Sequence, residues 1–264
     1  MTSNNKPIHM VDIVNGLFSK GTLKEAGASA ERQESGFVNA IKAAVKRNGN
    51  KPITVVTQDQ TISGVLDAEK YTHRAESGSE PYTDVLIKTT KGELKISMKG
   101  PSAPSLAGGG LRGIEAIIPG IASRFLRSVL QTHLKNKLKK GQKVPDVYGK
   151  LSNRDKTLLV IGNKKMGGPI DFMYIGPMDV KVEKTPKLDT IVVNGALIQA
   201  KEYAKSHELY FRLRARRDDQ TFDPKATFKD GTPKIYSVSP SRGDSAGRLV
   251  VTDKPATSRA VISF

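Results

Sequence analysis

Residues 83–99, TDVLIK-TTKG-ELKISMK, constrain this chain more than any other stretch. Two runs of strand-forming residues flank a short Gly-containing turn, the pattern of an antiparallel hairpin. With TTKG as the turn, Lys88 faces Glu93, Leu86 faces Lys95 and Asp84 faces Ser97. Side chains alternate along a strand, so Leu94, Ile96 and Met98 point one way and Lys95, Ser97 and Lys99 the other.

Around the hairpin the expected elements alternate in type. A helix from Ser29, with Ser29 as N-cap, carries Phe37, Val38, Ile41, Ala44 and Val45 on one stripe and stops at Asn48-Gly49-Asn50. Glu34 lies three and seven positions before Phe37 and Ile41, on the buried-facing side, where a carboxylate needs a partner. A strand is expected at 53–57 and a polar loop at 72–81. After the Gly/Pro/Ser-rich stretch 100–110, a helix over 121–140 has Phe125, Leu126, Val129, Leu130, Leu134 and Leu138 on one face. Strands follow at 157–162, 170–175 and 189–194, a short helix at 195–205, and a strictly alternating strand at 208–216. Residues 218–246 read as loop, and short strands at 247–251 and 258–263 close the sequence. This order predicts a mixed α/β (α+β) fold, a central mixed sheet flanked by helices. The expected division is an N-terminal arm (1–28), a core domain (29–217) and a β-rich C-terminal extension packed on it (218–264).

Charge narrows the partners. The 264 residues hold 43 Lys+Arg against 26 Asp+Glu, a formal +17, which favours a polyanion and above all DNA. With no cysteine there is no disulfide framework, thiolate zinc site or cysteine nucleophile, and four scattered histidines disfavour a His-rich metal cage. No apolar run approaches a membrane helix and the first residues lack a signal-peptide layout, so no membrane partner and a cytoplasmic location are expected. With 6% aromatics and no Trp, a base-stacking platform for single strands is disfavoured.

The chemistry-bearing set is Glu34, Asp84 and the Ser97-Met98-Lys99 run. The hairpin register crowds Asp84 with Ser97 and Lys99 at its open end, and Glu34 could reach the same region from the helix. As plain structure, Lys99 would be a solvated lysine at a strand end, Asp84 a hydrogen-bond acceptor, and Glu34 the partner of Arg32 or an inward lysine. As a set, they resemble the PD-(D/E)XK nuclease superfamily, the fold of many type II restriction endonucleases. The likeness spans about residues 30–110 and implies a restriction-endonuclease-like core and metal-dependent DNA phosphodiester hydrolysis. It implies that Asp84 ligates Mg²⁺ or Mn²⁺, that Lys99 assists the attacking water, and that Glu34 is an accessory ligand or water anchor. Ser97 stands where the family usually has Glu, Asp or Gln, a neutral hydroxyl in place of a charge. The literal E-x-K at Glu93-Leu94-Lys95 falls away from Asp84 in this register. Two readings stay open: a nuclease with a displaced carboxylate (Glu34 or Glu80), or a non-cutting DNA-binding or virion structural protein. The stretch SMKGPSAPSLAGGG is loosely similar to phage proteins, which would place the chain in a host cytoplasm or a virion, with virion proteins or copies of itself as partners.

The expected DNA-binding residues are basic. Between Ile121 and Lys156 stand ten Lys/Arg and two Asp, including Arg124, Arg127, Lys135, Lys137, Lys139 and Lys140, with no glutamates for i,i+4 pairing. Lys164 and Lys165 sit at the tip of an expected basic hairpin loop, GNKKMGG. Arg212, Arg214 and Arg216 repeat along one strand face, opposite either an acidic partner strand or a DNA backbone. SLAGGG (105–110) lacks the lysine and hydroxyl of a phosphate-binding P-loop and reads as a flexible hinge or a close backbone approach.

Overall fold

The computed structural model describes residues 23–76, 80–101, 110–214, 220–237, 248–252 and 260–264. Helix α1 (Leu23–Arg47) buries the expected stripe, Phe37, Val38, Ile41, Ala44 and Val45. It starts ahead of Ser29, within the segment expected as an arm, so Ser29 is an interior residue and not a cap.

Strands β1 (Ile53–Val56), β2 (Thr61–Lys70), β3 (Val85–Thr89) and β4 (Gly92–Lys99) form an antiparallel meander. The chain then crosses over through α2 (Gly110–Ile117), α3 (Ile121–Lys135), β5 (Val147–Lys150) and α4 (Asn153–Ile161). It returns as β6 (Phe172–Ile175), parallel to β4. Strands β7 (Val182–Lys184), β8 (Thr190–Val193) and β9 (Ala196–Gln199) complete a curled half-barrel of eight strands in the order β7-β8-β1-β2-β3-β4-β6-β9. Helix α5 (Ala200–Ser206) leads into β10 (Tyr210–Arg214). A second sheet has the order β13-β10-β5-β14, with β13 (Arg248–Thr252) and β14 (Ala260–Ile262). The short strands β11 (Thr221–Phe222) and β12 (Tyr236–Ser237) pair within the region expected to be loop.

The hairpin register is as expected: Thr89 pairs with Gly92, Lys88 with Glu93 and Leu86 with Lys95. Both faces of this sheet region are covered. Val85, Ile87, Ile96 and Met98 pack with the α1 stripe, while Met173 and Tyr82 belong to a second cluster with Phe125, Leu159 and Phe211. Phe222, Ile235, Tyr236 and Val251 from the C-terminal region join that second cluster, so this part of the chain packs on the core.

Several elements differ from expectation for identifiable reasons. Strand β2 buries Ile62, Val65 and Ala68, three apart, because its register shifts twice, against β1 between Ile62 and Val65 and against β3 between Val65 and Asp67, breaking the period of two. The run TLLVIG is helix α4, not a strand. Its N-cap Ser152 accepts a hydrogen bond from the Asp155 N–H and donates to the Asp155 carboxylate, a capping pair that outweighs the β-branched composition. The GNKKMGG segment is therefore a 3₁₀ turn between helix and strand (Lys164–Met166), not a hairpin loop. Helix α3 ends at Lys135, where Lys137 takes a left-handed φ of 56°. Its buried face ends on His133, and Leu134 is 51% exposed. Strand β9 occupies the start of the segment expected as a helix at 195–205.

Candidate active site

Asp84 sits one residue before β3, but its backbone continues the ladder on both sides. Its N–H donates to Ile96 O at 2.9 Å and its carbonyl accepts from Tyr71 N–H at 2.9 Å. The preceding loop is equally fixed, since Tyr82 N–H donates to Met166 O and the buried Thr83 hydroxyl to Gly167 O. Asp84 is thus held at the end of the sheet where β2 and β4 terminate and β3 starts.

Its side chain meets the expected neighbours. Oδ2 accepts from Met98 N–H at 2.6 Å and from the Ser97 hydroxyl at 3.1 Å, and it lies 3.9 Å from Lys99 Nζ. All three contacts fall on Oδ2; among the described residues Oδ1 takes none. Burial raises the Asp84 carboxyl above its ordinary range, opposed by the Lys99 charge and the bonds from Met98 and Ser97. Ser97, 2% exposed, serves as a neutral donor that orients this carboxylate.

Glu34 approaches from α1. Burial raises its carboxyl too, and the nearby charge of Asp84 is the next cause, so the two carboxylates share one electrostatic neighbourhood. The opposing influence is Lys70, whose Nζ is 3.2 Å from Glu34 Oε2 and 3.6 Å from Glu31 Oε1. Arg32, the other expected partner, pairs with Asp179 instead. Asp84, Ser97 and Lys99 therefore meet, with the Glu34 charge close enough to act on Asp84, whereas Glu93 and Lys95 lie toward the turn, where Lys95 Nζ donates to Gly168 O at 3.1 Å.

Two contributors were not anticipated. Lys70 ends the unrecognised strand β2. Gln33 is buried, and its Nε2 donates to Lys99 O (3.2 Å), Gly176 O (2.9 Å) and Pro177 O (3.2 Å). That amide ties α1 to the ends of β4 and β6 and so sets the position of Glu34. The signal was present, because Gln33 lies four residues before Phe37, on the apolar stripe itself.

Fit to a divalent ion can be judged from the donors. No group of three His, Cys, Asp or Glu that could hold a metal is found among the described residues. Mg²⁺, however, keeps several waters and commonly uses one or two carboxylates together with substrate phosphate. Asp84 and Glu34, both destabilised as anions by burial, meet that smaller requirement.

The basic residues are distributed unequally. Arg124, Arg127 and Lys135 are exposed on α3, while Lys137, Lys139 and Lys140 follow its end; Lys140 pairs with Asp223 at 3.2 Å. Lys164 and Lys165 are exposed on the turn whose next residues, Met166 and Gly167, bind the loop leading to Asp84. Arg212 is held by Asp146, with Nε at 3.0 Å from Oδ2, and lies over the Tyr148 ring. Its acidic partner is on the chain leading into β5, the neighbouring strand. Arg214 lies in β10, while Arg216 and residues 102–109 of the glycine-rich stretch are outside the described residues. No helix among the described residues is long and apolar enough to cross a membrane. No family model, curated protein or solved structure matches the chain.

Proposed function

We propose that this chain hydrolyses DNA phosphodiester bonds with Mg²⁺ or Mn²⁺, on a restriction-endonuclease-like core. The observation that carries the reading is the Asp84–Lys99 pair at one end of the sheet, with Glu34 of α1 near enough for its charge and that of Asp84 to interact. Asp84 and Glu34 would hold the ion. When bound, it supplies a lowered water pKa and neutralises charge on the phosphoryl oxygens. Ser97 and the Met98 N–H fix the Asp84 carboxylate through Oδ2, so this carboxylate would be held in place for an ion. Lys99 places an ammonium beside Asp84, where it orients the attacking water and stabilises the charge that develops on phosphate. Lys164 and Lys165, on the turn that braces the Asp84 loop, would hold a neighbouring phosphate, and the α3 lysines and arginines would extend the contact along the backbone.

A second reading, a DNA-binding or virion protein that does not cut, is favoured by Ser97 in place of a carboxylate and by the lack of a three-ligand cluster among the described residues. Plasmid cleavage with Mg²⁺ or Mn²⁺ separates the two, comparing wild type with Asp84→Asn and Lys99→Met alongside DNA binding. Cleavage lost in both variants with binding retained supports the hydrolase. Tight, salt-sensitive binding by a wild type that never cuts supports the second reading, and absence of both activities sinks the two together.

A further inference from the structure

Lys70 ends β2 opposite Val85, the residue after Asp84, and the next residue, Tyr71, binds the Asp84 carbonyl. Its ammonium lies between two carboxylates one helical turn apart, Glu34 and the more exposed Glu31. We infer, on the reading that Asp84 and Glu34 hold a divalent cation, that Lys70 is a positioning residue of that site: a resident counter-ion that neutralises Glu34 and yields it to the metal by moving onto Glu31.

Charge and geometry both point this way. Two ammonium groups, Lys70 and Lys99, stand among four carboxylates, Glu31, Glu34, Asp84 and Glu80, whose charge also acts on Asp84. A divalent ion taking Glu34 would meet Lys70 on the same carboxylate, so binding is easier if that ammonium withdraws. Lys70 can do so. Its side chain is one-third exposed (33%), its four-carbon stem is flexible, and Glu31 at 3.6 Å offers a second carboxylate at the rim, 74% exposed. A partner therefore remains when Glu34 is released. Lys99 has no such second carboxylate among the described residues. Lys70 thereby keeps Glu34 oriented in the metal-free protein, and it competes with the cation for the same oxygens.

The test is a Mn²⁺ titration followed by the electron paramagnetic resonance signal of free Mn²⁺, which needs no turnover. Lys70→Met should bind Mn²⁺ more tightly than wild type, on the order of tenfold for removal of one charge at this range and exposure. Lys70→Arg should restore near-wild-type affinity. Lys70→Gln, with the same expected sign, serves if the methionine variant does not fold. A merely structural lysine gives unchanged or weaker Mn²⁺ affinity in folded Lys70→Met or Lys70→Gln, and that result overturns the inference. Mn²⁺ binding that Asp84→Asn abolishes but Lys70 variants leave alone sinks this inference and spares the metal reading. A wild type that binds no Mn²⁺, or Asp84→Asn binding as well as wild type, sinks both.

Discussion

Gln33→Met removes an amide from the junction of α1 with the ends of β4 and β6 while nearly conserving volume. Gln33 is 2% exposed, and its Nε2, with two hydrogens, is shared among Lys99 O, Gly176 O and Pro177 O at 3.2, 2.9 and 3.2 Å. Lys99 O keeps a second donor, the Gly176 N–H at 3.1 Å. Gly176 O, in a fully buried contact, and Pro177 O, in a half-buried one, lose the donor that Gln33 supplies. A buried acceptor left without a donor costs about 1–3 kcal/mol. One full and one partial penalty, less the small gain from burying a thioether, gives a loss of about 2–3 kcal/mol. Urea denaturation should show this as a lower midpoint at an unchanged slope. Gln33→Glu, which aims a carboxylate at carbonyl oxygens, should lose more at neutral pH. A loss below about 0.5 kcal/mol for Gln33→Met, or a glutamate tolerated as well as the methionine, would refute the assignment of Gln33 as the clamp on α1.

Three further outcomes follow from the same contacts. Asp84 and Glu34 have folded-state pKa values raised above ordinary carboxylates, so the unfolded chain gives up these protons first as pH rises. Compared with an Asp84→Asn/Glu34→Gln double variant, wild type should lose stability between the ordinary carboxylate range and the raised values, with no further difference above them; Tm measured against pH checks the sign. Glu115 accepts from the N–H groups of Gly120, Ala122 and Ser123 at the start of α3, where Gly120 supplies no side-chain cap, so Glu115→Ala should cost about 1–2 kcal/mol in the same denaturation assay. Replacing Lys164 and Lys165 together by alanine should flatten the slope of log DNA affinity against log salt by up to about 1.8, whereas Arg212→Met should leave the slope unchanged and destabilise the fold by about 2 kcal/mol because Asp146 loses its partner.

Much of the site was legible because it rests on period and register. The apolar stripe of α1 and the two-residue alternation of the hairpin fixed which residues could meet, and Asp84, Ser97 and Lys99 meet as that register requires. Lys70 was hidden because bulging in β2 puts Ile62, Val65 and Ala68 at a spacing that matches neither a regular strand nor a helix. Helix α4 was hidden because a nine-residue segment rich in β-branched and leucine residues carries no decisive period, leaving the Ser152/Asp155 cap as its main signal. The Arg212 row stayed open between an acidic partner strand and a DNA backbone because a partner 66 positions away in the sequence, Asp146, cannot be seen by local pattern.

Anomalous X-ray scattering from Mn²⁺ in crystals of wild type and Asp84→Asn locates the ion without any need for turnover. Wild type should show a Mn²⁺ peak at the Asp84 and Glu34 carboxylates that disappears in Asp84→Asn. A wild-type crystal at saturating Mn²⁺ with no peak there, or a peak that survives in Asp84→Asn, would contradict this metal site.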